Sequence, residues 1–173
     1  MNTRWGFFTL CAFLFWAKTI FVYLVDFHLG VSGIYQYFVL LINPIATTLL
    51  IFSIALYIKR TLPAYLCLFL LYTANSVLLL ISVIYYREFT DFMTINVIFG
   101  YSSVSQGLST SSFSMLKPQD IAIIGDLIVV LILLLLKKIK LDERPIVRKQ
   151  AVAMTSFSLF FLMLNITLGE IDR

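Results

Sequence analysis

Charge is what this sequence has least of. Only 13% of its 173 residues are Asp, Glu, Lys or Arg, and 61% are hydrophobic; a soluble domain has about 25% charged and about 45–50% apolar residues. Folded in water, such a chain would expose large apolar patches, so lipid is the medium it suits. Histidine occurs once, as His28, and any histidine-based metal site or Ser-His-Asp triad would rest on that one residue in a short loop. No H-E-x-x-H, P-loop, GxGxxG or CxxC pattern is present. The sequence therefore offers no catalytic residue, no metal site and no cofactor site. The two cysteines, Cys11 and Cys67, lie within apolar runs and read as free, core-like residues rather than a disulfide. A cleaved signal peptide is also disfavoured. Arg4 precedes an apolar run, but that run outlasts a signal-peptide core and no small-x-small site follows, so a retained signal anchor is expected.

A net charge of +4 does not point to nucleic acid. No basic stripe alternates with aromatics; the cations gather in short clusters between apolar runs, which is how membrane topology is written. A hydrocarbon core about 30 Å thick takes about 20 helical residues to cross. Five stretches meet that length, at about residues 5–25, 37–58, 64–84, 119–136 and 150–168. All are expected to be helices, since an open strand would leave backbone groups unpaired in lipid. The fold class is thus all-α integral membrane, a five-transmembrane-helix bundle in one domain. In the second stretch, either Asn43 caps a helix starting at Pro44 or Pro44 kinks a longer helix. The remainder to residue 58 is short for a crossing, which favours the longer helix.

Orientation follows from the connections. Arg4, Lys59, Arg60, Lys137, Lys138, Lys140, Arg144, Arg148 and Lys149 fall on one side. On the other side Arg87, Lys117 and Arg173 are diluted by Asp26, Glu88, Asp91, Asp120, Glu170 and Asp172. The excess of Lys and Arg puts the amino terminus in the cytoplasm and the carboxyl terminus outside. The outer connection after the third span has two halves. Over residues 85–99, Tyr85, Phe89, Phe92, Met93 and Phe99 share one helical face and Arg87, Thr90, Asp91 and Thr94 the other. Asn96 and Ile98 break the pattern. This reads as a helix lying in the outer interface. The second half carries seven serines between Ser102 and Ser114 and reads as a mobile connector.

Lys18 is the most informative single residue. It lies in the outer third of the first span, where an unpaired cation costs about 3 kcal/mol. Asp126 lies at similar depth in the fourth span, beside Gly125 and Ala122, which would let a neighbouring helix come close. An intramembrane ion pair of Lys18 with Asp126 is expected; snorkelling of Lys18 to the headgroups and a grip on a lipid phosphate are the alternatives. Arg87, Glu88 and Asp91 form a polar cluster at headgroup level. It is either a solvated face with an internal ion pair or a platform for a lipid headgroup or an interdomain contact. Asp120 suits the positive end of the fourth helix and needs no other purpose.

Trp16-Ala17-Lys18-Thr19 in the first span and Tyr85-Tyr86-Arg87-Glu88-Phe89-Thr90-Asp91-Phe92 after the third resemble the lipoteichoic acid synthase, or polyglycerol-phosphate synthase, family of Gram-positive bacteria. Asp120-Ile121 with Asp126, and the closing run from Asn165 through Leu168, Glu170, Asp172 and Arg173, look like that family too. The resemblance covers nearly the whole chain. It implies a multi-pass anchor in the bacterial cell membrane. It also implies an extracellular catalytic domain of alkaline-phosphatase and sulfatase type following the fifth helix. That domain uses a threonine nucleophile and manganese to move glycerol phosphate from phosphatidylglycerol to a chain on a glycolipid anchor. Nothing here matches it, so this chain alone is expected to be inactive, and to be a fragment or a truncated gene product. Its expected partners are phosphatidylglycerol, the glycolipid anchor, the extracellular catalytic domain and other cell-envelope enzymes. Two other readings stand beside the anchor: a small transporter or flippase-like protein using Lys18 and Asp126, and a scaffold for envelope enzymes. Few spans, few intramembrane charges and no inverted repeat count against transport.

Overall fold

The structure, a computed structural model, describes residues 4–27, 33–89, 117, 118, 120–135 and 148–171. Among these residues every regular element is helical. α1 runs Arg4–Val25, α2 Ile34–Ser53, α3 Thr61–Phe89, α4 Asp120–Leu135 and α5 Arg148–Ile171. A 3-10 turn, Ile54–Tyr57, continues α2. Among the described residues four stretches are long and apolar enough to cross a membrane: Arg4–Val25, Gln36–Tyr57, Thr61–Arg87 and Arg148–Thr167. The described apolar part of α4, Ile123–Leu134, is shorter.

Two local features differ from, or decide between, the sequence expectations. α2 passes through Pro44, so Asn43 is inside the helix and caps nothing. The missing Pro44 N–H weakens the turn before it, and the Trp16 indole N–H reaches across from α1 to the Leu41 carbonyl at 2.9 Å. α3 extends to Phe89 without a break, so residues 85–89, expected to open the interfacial helix, continue the third helix instead. The rest of that segment, with the Ser-rich half, lies outside the described residues, as does His28.

One core joins all five helices. Phe7, Phe8, Cys11 and Phe15 from α1 meet Phe52, Ala55 and Leu56, then Tyr65, Leu68 and Tyr72 of α3, Val130 of α4 and Ala151 of α5. Phe15, Phe52 and Tyr72 form a ring triangle with centroids 5.9–6.2 Å apart, the offset and edge-on spacing aromatic quadrupoles favour. Cys11 and Cys67 are free thiols. α5 packs on α2 and its 3-10 turn, whereas α4 packs on α3 and α1. The α2–α5 seam carries polar links: Asn165 Nδ2 donates to Asn43 Oδ1 at 2.6 Å, and the Thr155 hydroxyl lies 2.9 Å from that of Tyr57 and donates to Ser53 at 3.3 Å. Helices in lipid lack a hydrophobic drive toward one another, so such links supply part of the association.

Candidate functional site

Two charged clusters occupy different levels of the bundle. The deeper one is built on Lys18, only 8% exposed. Its Nζ donates to Ser76 Oγ at 2.6 Å and to Asp126 at 2.9 Å (Oδ2) and 3.2 Å (Oδ1). Longer contacts reach the Tyr72 hydroxyl at 3.3 Å and the Ile123 carbonyl at 3.5 Å. The Tyr72 hydroxyl donates to Asp126 Oδ2 in a short hydrogen bond. Ser76 Oγ in turn donates a hydrogen bond to the Tyr72 carbonyl at 2.7 Å. Nζ also sits 4.3 Å from the Tyr72 ring centroid, within cation–π range. One cation and one anion cancel, and neutral hydroxyls complete the shell. That arrangement keeps a buried pair from destabilising its surroundings.

Sequence spacing explains how three helices deliver this cluster. Tyr72 and Ser76 are one turn apart on α3 and so share a face; Asp126 lies one turn after Ala122 on α4. The small residues expected to allow close helix approach do not do so at Gly125, where an added Cβ would meet nothing within 4 Å. α4 is held there by the hydrogen bonds of Lys18 and Tyr72 to Asp126. Neither Tyr72 nor Ser76 was identified from sequence, because a tyrosine and a serine in an apolar helix are ordinary membrane residues until a charge is placed beside them.

The second cluster joins three helix ends. Arg87, near the end of α3, donates Nη1 and Nη2 to the two oxygens of Asp120 at 2.8 Å each. Its Nε reaches Asp26 Oδ1 at 3.2 Å and its Nη2 makes a short contact with the same atom. The fork-on-fork geometry with Asp120 uses the planar guanidinium in a way lysine cannot. All three side chains are at most 8% exposed. Asp26 directly follows α1, and Asp120 opens α4 with its carboxylate also taking the Lys117 N–H at 2.8 Å. Beneath them Val22, Phe27, Val83 and Ile123 form a small apolar cluster, and Tyr86 donates to the Phe27 carbonyl at 3.2 Å. The three clamp side chains sum to one negative charge, which the nearby Lys117 charge and the positive end of α4 offset.

Arg87 thus turns inward to Asp26 and Asp120. Glu88 belongs to α3, but its side chain, like all of Asp91, lies outside the described residues. Asp120 does more than complement its helix end. Its partnership with Arg87 and Asp26 was legible only as three charges flanking the same end of the predicted bundle. Among the described residues no three His, Cys, Asp or Glu side chains come together, so the geometry provides no metal-ligand set there.

An all-helical bundle with several membrane-length apolar helices and charges paired inside it is the architecture of a membrane domain. The family comparison names which one. Residues 1–173 match the model of the lipoteichoic acid synthase N-terminal domain, and the chain belongs to that family. It is 34% identical over 173 residues to lipoteichoic acid synthase of Staphylococcus saprophyticus, covering 99% of this chain and 26% of that protein. It is 29% identical over 168 residues to lipoteichoic acid synthase 2 of Bacillus subtilis, covering 97% and 25%. With lipoteichoic acid synthase of Staphylococcus aureus it shares 32% over 170 residues, covering 97% and 26%. The chain therefore spans about a quarter of the length of these Gram-positive relatives. No solved structure matches it.

Proposed function

We propose that this chain is the membrane domain of a lipoteichoic-acid-synthase-like glycerol phosphate transferase, and that it anchors an extracellular catalytic domain and presents lipid substrate to it. The carrying observation is the family match over residues 1–173 alongside relatives roughly four times longer. In this reading five helices cross the bacterial cell membrane, with the amino terminus cytoplasmic and the carboxyl terminus extracellular. The two ends of the bundle support that orientation. Arg4, Lys59 and Arg148 gather at one end, as the positive-inside rule asks of the cytoplasmic face, and the Asp26–Arg87–Asp120 clamp holds the other.

The clamp gives the outer face its role. By tying the ends of α1, α3 and α4, Arg87 makes a fixed floor beneath the catalytic domain, on which Glu88, Asp91 and an interfacial helix in the outer loop position the headgroup of phosphatidylglycerol or of the glycolipid anchor. The Lys18–Asp126 pair acts as a structural bolt in this reading. An intramembrane ion pair is also the observation that favours a transporter, but here Lys18 is buried against Ser76 and Asp126 is held by Tyr72, which suits a fixed pair better than an open polar route.

The test uses two assays. This chain, co-expressed with a detached catalytic domain, raises conversion of fluorescent phosphatidylglycerol to diacylglycerol above that of the detached domain alone; no increase refutes lipid presentation. A reporter fused after residue 173 reads orientation. Alkaline phosphatase is active there if the carboxyl terminus is outside, and a fluorescent cytosolic reporter there refutes the topology.

A further inference from the structure

The end of the bundle opposite the Arg87 clamp holds a cleft that lipid presentation does not use. Its volume is about 290 Å3, and Leu56, Tyr57, Lys59, Arg148 and Ala151 line it. The two cations come from separate elements, Lys59 from the turn after the 3-10 segment and Arg148 from the start of α5. Their walls are held in place. The buried Arg4 guanidinium donates to the Ile58 carbonyl at 3.2 Å, to the Lys59 carbonyl at 2.9 Å and to Thr61 Oγ1 at 2.7 Å, which pins the backbone that carries the Lys59 side chain. On the facing wall, Tyr57 meets Thr155 at 2.9 Å and the Trp5 indole donates to Gln150 at 3.4 Å. Leu56 and Ala151 give the cleft an apolar floor, both buried.

Among the described side chains the ion-paired carboxylates are Asp26, Asp120 and Asp126, and none of them meets Lys59 or Arg148. Cations that only set topology need no cavity. Two that share a cleft with an apolar floor at a helix-bundle end form the chemistry that binds a phosphate with hydrocarbon attached.

We propose that this cleft binds the phosphate group of an anionic phospholipid, held between Lys59 and Arg148. The proposal rests on the membrane-spanning reading of the bundle but not on substrate presentation at the other end. The test is native mass spectrometry of the full chain released from phosphatidylcholine nanodiscs doped with phosphatidic acid. The double variant Lys59→Gln/Arg148→Gln retains phosphatidic acid on the order of 25-fold less, since each of the two cations lining the cleft contributes about a factor of five. The control Arg60→Gln/Lys149→Gln removes the same charge from neighbouring positions that do not line the cleft, and keeps most of the retention. Equal losses in both doubles, or no loss in the first, overturn the site. Displacement of the lipid by millimolar inorganic phosphate overturns the lipid assignment in favour of free phosphate; retention in its presence supports it. Failure of the membrane-spanning reading shows separately, as a chain that stays soluble without detergent or lipid.

Discussion

The Lys18 cluster and the Arg87 clamp solve the same problem at different depths. Each buries a cation against carboxylate, but Lys18 meets one acid and a shell of hydroxyls, while Arg87 is shared between two acids. Depth accounts for the difference. Within the apolar span, a net charge has nowhere to go, so the pair is neutral and fully hydrogen-bonded. At the helix ends, headgroups and the α4 dipole tolerate one excess negative charge, and the guanidinium can serve as a three-way joint. The deep cluster sets helix depth and partner; the shallow one sets how three helix ends are arranged.

Unequal damage from single and paired substitutions would expose that distinction most strongly. Asp126→Ala or Lys18→Ala is expected to destabilise the bundle by about 3–5 kcal/mol, because either leaves an uncompensated buried charge. The apolar double Lys18→Met/Asp126→Leu should recover most of the loss in a detergent unfolding titration. A double as unstable as the two singles summed would show that the two residues do not interact.

At the clamp, Arg87→Ala should cost less, about 2–4 kcal/mol, since water and headgroups reach the freed carboxylates. Arg87→Lys keeps the charge but loses the fork, and its failure to restore wild-type melting would separate geometry from charge. If Arg87→Lys melts like the native chain, the three-way joint is only electrostatic. Smaller again is Tyr72→Phe, which removes one hydrogen bond to a charged group and should lower stability by about 1.5–3 kcal/mol. Its effect should vanish in the Lys18→Met/Asp126→Leu background; persistence there would detach Tyr72 from the cluster. The smallest change is Gly125→Ala. With no atom within 4 Å of the new methyl, it should be neutral or stabilise by up to about 1 kcal/mol through helix propensity. A loss would mean that α4 is packed more tightly at that position than the open space indicates.

The deep cluster was the easier to read from sequence for a physical reason. Lys18 and Asp126 are the ionisable residues set well inside apolar runs, so each makes the other the economical partner, and the structure places them 2.9 Å apart. Arg87 sits where solvent and neighbouring acids were equally available, so its choice of Asp26 and Asp120 over a surface network could not be inferred. Span lengths were legible to within a few residues for α1 and α5. They misled at α3, because the aromatic face of residues 85–89 suits an interfacial helix and a continuing span alike.

Composition and the placement of Lys and Arg determined by themselves that this is a chain of long apolar helices with one strongly basic end, since both depend only on transfer between water and lipid. Which helices touch was decided by the tertiary structure alone. α4 and α5 are consecutive in sequence, yet one packs on α3 and α1 and the other on α2. A helix apolar on every side carries no stripe to say which face is inside, and lipid contacts satisfy those faces about as well as protein does. The few polar atoms that lipid cannot satisfy, on Lys18, Tyr72, Ser76, Arg87, Asn43 and Asn165, help choose the neighbours.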